Sequence, residues 1–302
     1  MNYDPSMLAH CLPDYYKLLF PFKPFCKWLC YGQKPSAYFS YREFAFIFEG
    51  DVHIRYRSFN DMLEFEKELC KSSPFKLDIG AIYNHKPKDN KKFSDFRAEQ
   101  RELVFDIDLT DYDEIRKCCS GANVCKKCCR WITIAMKVLD RLLKEHFGFK
   151  HRLWVFSGRR GVHCWVADAE ARKLTNPGRA AVASYLSLIS GQQNIVNVSE
   201  KKGFVHPVIS DAYQFIMETG EVDRMVVEQG WLSGEEGLSA LTEGCKDDNV
   251  INELKSIIND VMRIDSIEQQ WLALRIKLDS VKRKEMMAQK GVELCKVSCI
   301  VL

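Results

Sequence analysis

Leu103-Val104-Phe105-Asp106-Ile107-Asp108 is the stretch that decides how this chain is read. Its apolar residues make a buried strand, yet two carboxylates interrupt it. Side chains alternate along a strand, so Asp106 and Asp108 share one face. Ionised carboxylates side by side repel, and burying them is costly. A bound divalent cation resolves the conflict. Two such acids can bridge a pair of Mg²⁺ or Mn²⁺ ions about 3.5–4 Å apart, and such ions activate a hydroxyl and neutralise nucleotide phosphates. The plainer alternative is a strand end whose acids face water. Asp111, Asp113 and Glu114, directly downstream, fit that alternative as well.

Further along, Leu153 to Phe156 and Val162 to Val166 read as strands around the loop Ser157-Gly158-Arg159-Arg160-Gly161, followed by His163. Glycines let the backbone turn sharply and come close to a ligand. Two guanidinium forks suit phosphate oxygens, and Ser157 and His163 add donors to the same anion. The competing reading is a solvated basic hairpin. Between the acidic strand and this loop, Trp131 to Phe147 carries apolar residues at helical spacing, with Gly148 as a stop.

Five of the thirteen cysteines fall between 118 and 129, spaced C-C-x5-C-x2-C with Cys129 following at once. Four thiolates in a short loop suit a tetrahedral, structural zinc that staples the loop between strand and helix. Spacing alone does not say which of the five is spare. Reduced cysteines without metal are the alternative. The remaining eight are scattered and read as small apolar residues.

Working toward the N-terminus, residues 43–48 and 52–57 are β-rich around Gly50-Asp51, a hairpin signal. Glu43 opens the first of these strands, and Arg55 and Arg57 alternate onto one face of the second. In isolation all three read as ordinary surface charges. The prolines among the aromatics of Tyr15 to Phe25 predict a short helix and then an extended packed segment. From Thr175 the β signal fades. Asn176-Pro177 is a helix entry, and Leu254, Ile257, Ile258, Val261 and Met262 form an apolar stripe.

The 302 residues, 46% hydrophobic and 28% charged, have the balance of a folded soluble chain, not a disordered or collagen-like one. No apolar run is long enough to span a membrane, and no secretory leader is legible, so a reducing compartment is expected. Net charge is +3, too small to argue for or against a nucleic-acid partner.

The chain resembles the small catalytic subunit of eukaryotic and archaeal-type DNA primase. The resemblance is carried by Tyr38 to Phe44, Ile54-Arg55-Tyr56, Lys76 to Ala81, Glu102 to Tyr112 and Phe147 to Val166. It implies a mixed α/β (α+β) primase-type fold: a catalytic domain at 1–175 with its zinc loop at 118–129, a helical subdomain at 176–290 and a tail at 291–302. It implies a nucleotidyltransferase that joins ribonucleoside triphosphates on a single-stranded DNA template into short RNA primers. Asp106 and Asp108 would hold two Mg²⁺ or Mn²⁺ ions, with Glu43 as a further acid. Ser157, Gly158, Arg159, Arg160, Gly161 and His163 would take the triphosphate, and Arg55 and Asp78 would line the nucleotide pocket. The family pattern assigns zinc to Cys118, Cys119, Cys125 and Cys128. It also implies a large primase subunit and DNA polymerase alpha as partners, and the nucleus as compartment.

The family carries a third metal-binding aspartate in a segment like R-x-D-x-x-V-[ST], followed by a block like H-L-L-K-x-P-F-x-x-H-P. Neither is found here. Arg263-Ile264-Asp265 and Leu278-Asp279-Ser280-Val281 are only superficial matches. The expectation is therefore a chain missing part of the catalytic sheet, weakly active as it stands. Its alternatives are a zinc-containing isoform that binds partners without synthesis and a related nucleotidyltransferase acting in repair. Cys299-Ile300-Val301-Leu302 fits a prenylation box in form, although no membrane attachment is expected.

Overall fold

The computed structural model describes residues 7–113, 116–186, 207–230, 248–278 and 300–301. The chain divides into two compact units, Met1–Leu103 with Ala167–Leu174, and Val104–Val166 with Thr175–Leu302. The class is mixed α+β, with an antiparallel sheet in the first unit.

The first unit opens with helices α1 (Leu8–Asp14), α2 (Phe22–Leu29) and α3 (Pro35–Tyr38). Strands β1 (Arg42–Phe48) and β2 (Val52–Arg57) form the expected hairpin, with Phe48 opposite Val52 and Gly50 at φ 73° in the turn. After α4 (Met62–Ser72), β3 (Lys76–Tyr83) and β4 (Ala98–Gln100) complete a sheet in the order β2-β1-β3-β4. Lying between β2 and β3, β1 is buried on both faces, which is why Phe44, Ala45, Phe46 and Ile47 run without a polar break. The segment expected to be extended after Phe20 is instead helix α2. Pro24 sits in its first turn, where an N–H would have no intrahelical partner anyway. Phe20, Phe22, Phe25, Phe39, Phe44 and Phe59 then converge on Phe65 of α4 at ring separations of 5.0–6.2 Å.

A buried ion pair ties β1 to the residue before the acidic strand. Arg42 Nη1 and Nη2 donate to the two Glu102 oxygens at 3.0 Å each, with side-chain exposures of 0% and 1%. The Tyr31 hydroxyl donates to Glu102 Oε1 at 2.6 Å, and the Arg172 guanidinium lies 3.6 Å from the Tyr31 ring centroid.

The second unit carries the acidic strand β5 (Leu103–Asp108, from Val104 onward), helix α5 (Cys129–Glu145), and strands β6 (Arg152–Phe156), β7 (Gly161–Val166) and β8 (Ile300–Val301). Sheet order is β6-β7-β5-β8, with β6 antiparallel to β7 and β8 antiparallel to β5. Helix α5 starts and stops two residues earlier than its apolar spacing predicts. It buries Trp131, Ile132, Ile134, Ala135, Val138, Leu139, Leu142 and Leu143. Gly148, at φ 69°, returns its N–H to the Lys144 carbonyl at 3.1 Å beyond the helix end.

The helices Pro207–Glu218 and Glu221–Gln229 pack on α5. Arg130 pairs with Glu221 (2.8 Å) and Glu228 (2.6 Å), and Arg141 pairs with Asp211 (2.8 Å). The helices Pro207–Glu218 and Glu221–Gln229 therefore belong to the same compact unit as the acidic strand. Arg263, Ile264 and Asp265 lie in the turn between helices Asp248–Val261 and Ile267–Leu278. Asp279 and Cys299 lie outside the described residues. No described helix is long and apolar enough to cross a membrane.

Candidate functional site

Asp106 and Asp108 project from β5, about a third exposed, while Val104, Phe105 and Ile107 beside them are buried. Each acid faces a nitrogen side chain from the next part of the sheet. Arg160 Nε donates to Asp108 Oδ2 at 2.8 Å, and His163 Nε2 stands 3.3 Å from Asp106 Oδ1. The Thr110 amide and hydroxyl both donate to Asp108 Oδ1 at 2.9 Å. Burial opposes ionisation of Asp108, but the Thr110 amide, Arg160 and the Thr110 hydroxyl outweigh it and hold its carboxyl below the usual range. Asp111 goes the other way. Burial, reinforced by the charges of Asp108 and Asp106, pushes its carboxyl up.

The loop between β6 and β7 is closed by its own backbone and side chain. The Ser157 N–H donates to the Gly161 carbonyl at 2.9 Å, and the Gly161 N–H returns to Ser157 Oγ at 3.0 Å. Gly158 sits at φ 84°, a conformation open to glycine at little cost. Gly161 is required for a different reason: a Cβ there would lie 2.6 Å from the Ile107 carbonyl oxygen, backbone against backbone. The Leu109 N–H donates to the Arg160 carbonyl at 3.1 Å. Arg159 is exposed and makes no ion pair among the described residues.

Glu43 belongs to the first unit and is 3% exposed. Its oxygens accept from Arg55 Nε (3.0 Å) and Nη2 (3.3 Å), the Tyr56 N–H (3.3 Å) and the Tyr83 hydroxyl (3.0 Å). Burial and the Glu43 charge push the Tyr83 phenol up to about 12. Tyr56 is held at φ 60° within β2, and its ring lies under Arg55 at 4.9 Å. Gly80 leaves room for this carboxylate, since a Cβ there would meet the Glu43 Cβ at 2.8 Å. Asp78 is exposed on β3, opposite Ala45.

The sulfurs of Cys118, Cys119, Cys125 and Cys128 all lie within 4.8 Å of one another. Cys128 Sγ stands 3.3 Å from Cys118 Sγ and 3.8 Å from Cys125 Sγ. Tetrahedral zinc with Zn–S bonds of about 2.3 Å needs sulfur separations of about 3.8 Å. The cluster can therefore hold a metal ion such as zinc. Cys129 is exposed, and its sulfur reaches the Cys125 carbonyl instead. The Cys128 backbone N–H, with Cys119 and the Lys127 N–H, lowers the Cys125 thiol to about 7, while burial pushes the Cys118 thiol up and the Cys119 thiol up to about 12.

Several partners in these sites were not visible in the sequence. Tyr83 and Gly80 around Glu43, Arg42 opposite Glu102, and Arg116 and Gln229 around the cysteines are all distant in the chain or lack a local motif. Asp113, read as a solvated acid, instead accepts from the Gly121 N–H at 2.8 Å and from Arg116 Nε at 2.6 Å, bracing the cysteine loop.

Comparison with known proteins gives these features a context. The family model described as DNA primase small subunit matches residues 105–288. The DNA primase small subunit of Caenorhabditis elegans is 45% identical over 297 residues, covering 97% of this chain and 70% of that protein. The Drosophila melanogaster protein of that name is 51% identical over 189 residues, 62% of this chain and 43% of its own length. The Saccharomyces cerevisiae protein is 39% identical over 260 residues, 85% of this chain and 63% of its own length. This chain thus spans between about two fifths and seven tenths of these relatives. It belongs to the DNA primase small subunit family.

Proposed function

We propose that this chain is a DNA primase catalytic subunit that joins ribonucleoside triphosphates on a single-stranded DNA template into RNA primers for replication. One observation carries the reading. On adjacent strands, the two acids of β5 face the nitrogen donors of the β6–β7 loop and β7, Asp108 paired with the Arg160 guanidinium and Asp106 beside the His163 ring.

The donor set suits hard divalent cations, because carboxylate oxygens are what Mg²⁺ and Mn²⁺ prefer. Bound by Asp106 and Asp108, such ions would supply Lewis acidity toward a hydroxyl and charge neutralisation toward phosphate. The protein's own part follows from its ion pairs. Arg160 and His163, which stand beside these carboxylates, would pair with phosphate oxygens. Arg159, already exposed, and Ser157 add donors to the same anion. Glu43 orients Arg55, and Arg55 and Asp78 serve as nucleotide contacts of the first unit. The cysteine centre is structural, since four sulfurs leave a zinc ion no open position. A large primase subunit and DNA polymerase alpha are the partners we infer, with the nucleus as the setting.

A second reading is a zinc-containing isoform that engages partners without synthesis; the cysteine cluster can hold a metal whether or not a nucleotide is bound. Isothermal titration with UTP and Mn²⁺ separates the two. Metal-dependent UTP binding that is lost in Asp106→Asn supports the first. A chain that binds no UTP with Mn²⁺, and extends nothing on a poly-pyrimidine template with the large subunit added, leaves the second.

A further inference from the structure

Gln229 is the last residue of the helix Glu221–Gln229, which Gly230 closes at φ 67°. It is 6% exposed, and its amide is aimed at the cysteine loop 111 residues earlier. The backbone N–H groups of Lys117 and Cys118 donate to its Oε1 at 2.9 and 3.2 Å. Its Nε2 donates to Cys118 Sγ at 3.4 Å.

On Cys128, the sulfur nearest to Cys118, a second group plays the matching part. Arg116, with a side chain 0% exposed, donates from Nη1 to Cys128 Sγ at 3.4 Å and to the Asn123 carbonyl at 3.2 Å. Its Nη2 donates to the Gly121 carbonyl at 2.9 Å. Four thiolates around a dication leave two negative charges in a partly buried site. N–H donors and a guanidinium placed on the sulfurs spread that charge and fix the sulfur positions. A residue that merely capped the two loop amides would need only its oxygen. The Nε2 contact to sulfur is what points to the metal centre.

We propose that Gln229 and Arg116 are positioning residues of the four-sulfur centre, and that through Gln229 a bound metal fastens the helix Glu221–Gln229 to the cysteine loop. The proposal rests on the reading of Cys118, Cys119, Cys125 and Cys128 as a zinc site. Because the same helix is clamped to α5 by Arg130, metal loss would loosen a helix–helix contact as well as a loop.

The test uses the full chain loaded with Zn²⁺ or, as a spectroscopic probe, Co²⁺. In Gln229→Leu the sulfur loses an N–H donor, so the sulfur-to-cobalt charge-transfer band moves to lower energy. Zinc affinity, measured by chelator competition, falls by about 10–100-fold. Arg130→Ala, which breaks only the ion pairs of the same helix, leaves the band in place. In the unmutated chain, chelation raises hydrogen–deuterium exchange across 221–229. A Gln229→Leu protein with unchanged band and affinity, or an equal band shift in Arg130→Ala, would overturn the assignment. Should the variants not fold, unchanged exchange of 221–229 after chelation overturns it instead. A wild-type chain that takes up neither metal removes the zinc reading itself.

Discussion

The acids of the two units are treated differently. In the first unit, Glu43 and Glu102 are buried and their oxygens are saturated by donors: Arg55, Tyr56 and Tyr83 on one, Arg42 and Tyr31 on the other. In the second, Asp106 and Asp108 are a third exposed: Arg160 and Thr110 donate to Asp108, and the His163 ring stands beside Asp106. A carboxylate buried among its donors exchanges them only at a cost to the fold. A partly open carboxylate with one counter-charge can give that partner up to a ligand. The difference is one of solvation, since the side-chain chemistry is the same.

The largest effect should come from breaking the most buried acid. Glu102→Gln leaves the Arg42 charge without its counter-ion, and chemical denaturation should show a loss of about 3–5 kcal/mol. A loss below about 1 kcal/mol would place Glu102 with the open acids. Next, Asp106→Asn should leave the unfolding midpoint nearly unchanged while lowering Mn²⁺-dependent UTP binding or primer extension by at least about 100-fold. Equal losses of stability and function would erase the distinction. Gly161→Ala should force β7 away from the Ile107 carbonyl, costing about 1–3 kcal/mol and weakening triphosphate binding with it. Glu43→Gln faces donors with an amide N–H where an oxygen stood. It should cost about 1–3 kcal/mol, with a smaller functional loss than Asp106→Asn.

The smallest effect is in pH. Burial opposes ionisation of Glu102, yet the Arg42 charge and the Arg42 and Tyr31 hydrogen bonds hold its carboxyl below its ordinary value of 4.5. A lowered folded-state value means that the unfolded chain binds more protons in that window. The stabilisation is thus complete above about pH 4.5 and is lost as pH falls through the folded value. The acid limb of a stability–pH curve should flatten in Glu102→Gln relative to wild type, and an unchanged limb would assign the slope to other groups.

What the sequence revealed follows the range of the forces involved. The hairpin at 42–57, the acidic strand and the loop at 157–161 were legible because alternation, glycine and turn chemistry act over a few residues. The cysteine cluster was legible for the same reason. The helix at Phe22–Leu29 was misread because a proline three positions into a helix carries the same letter as one that breaks it. The Arg42–Glu102 pair spans 60 residues and the Gln229–Cys118 contact 111, and no local pattern announces either. The division of the chain was equally hidden. It depends on which helices α5 gathers, and the pairs that gather them, Arg130 with Glu221 and Glu228 and Arg141 with Asp211, span 70 to 98 residues.

The approach of Gly161 to the Ile107 carbonyl has a consequence of its own. The gauge between the acids and the loop at 157–161 is peptide against peptide, with no side chain interposed to swell, swing or titrate. Ionic strength can weaken the attraction between Asp108 and Arg160, but it has no purchase on that spacing. The site would therefore keep its dimensions in buffers that strip it of affinity.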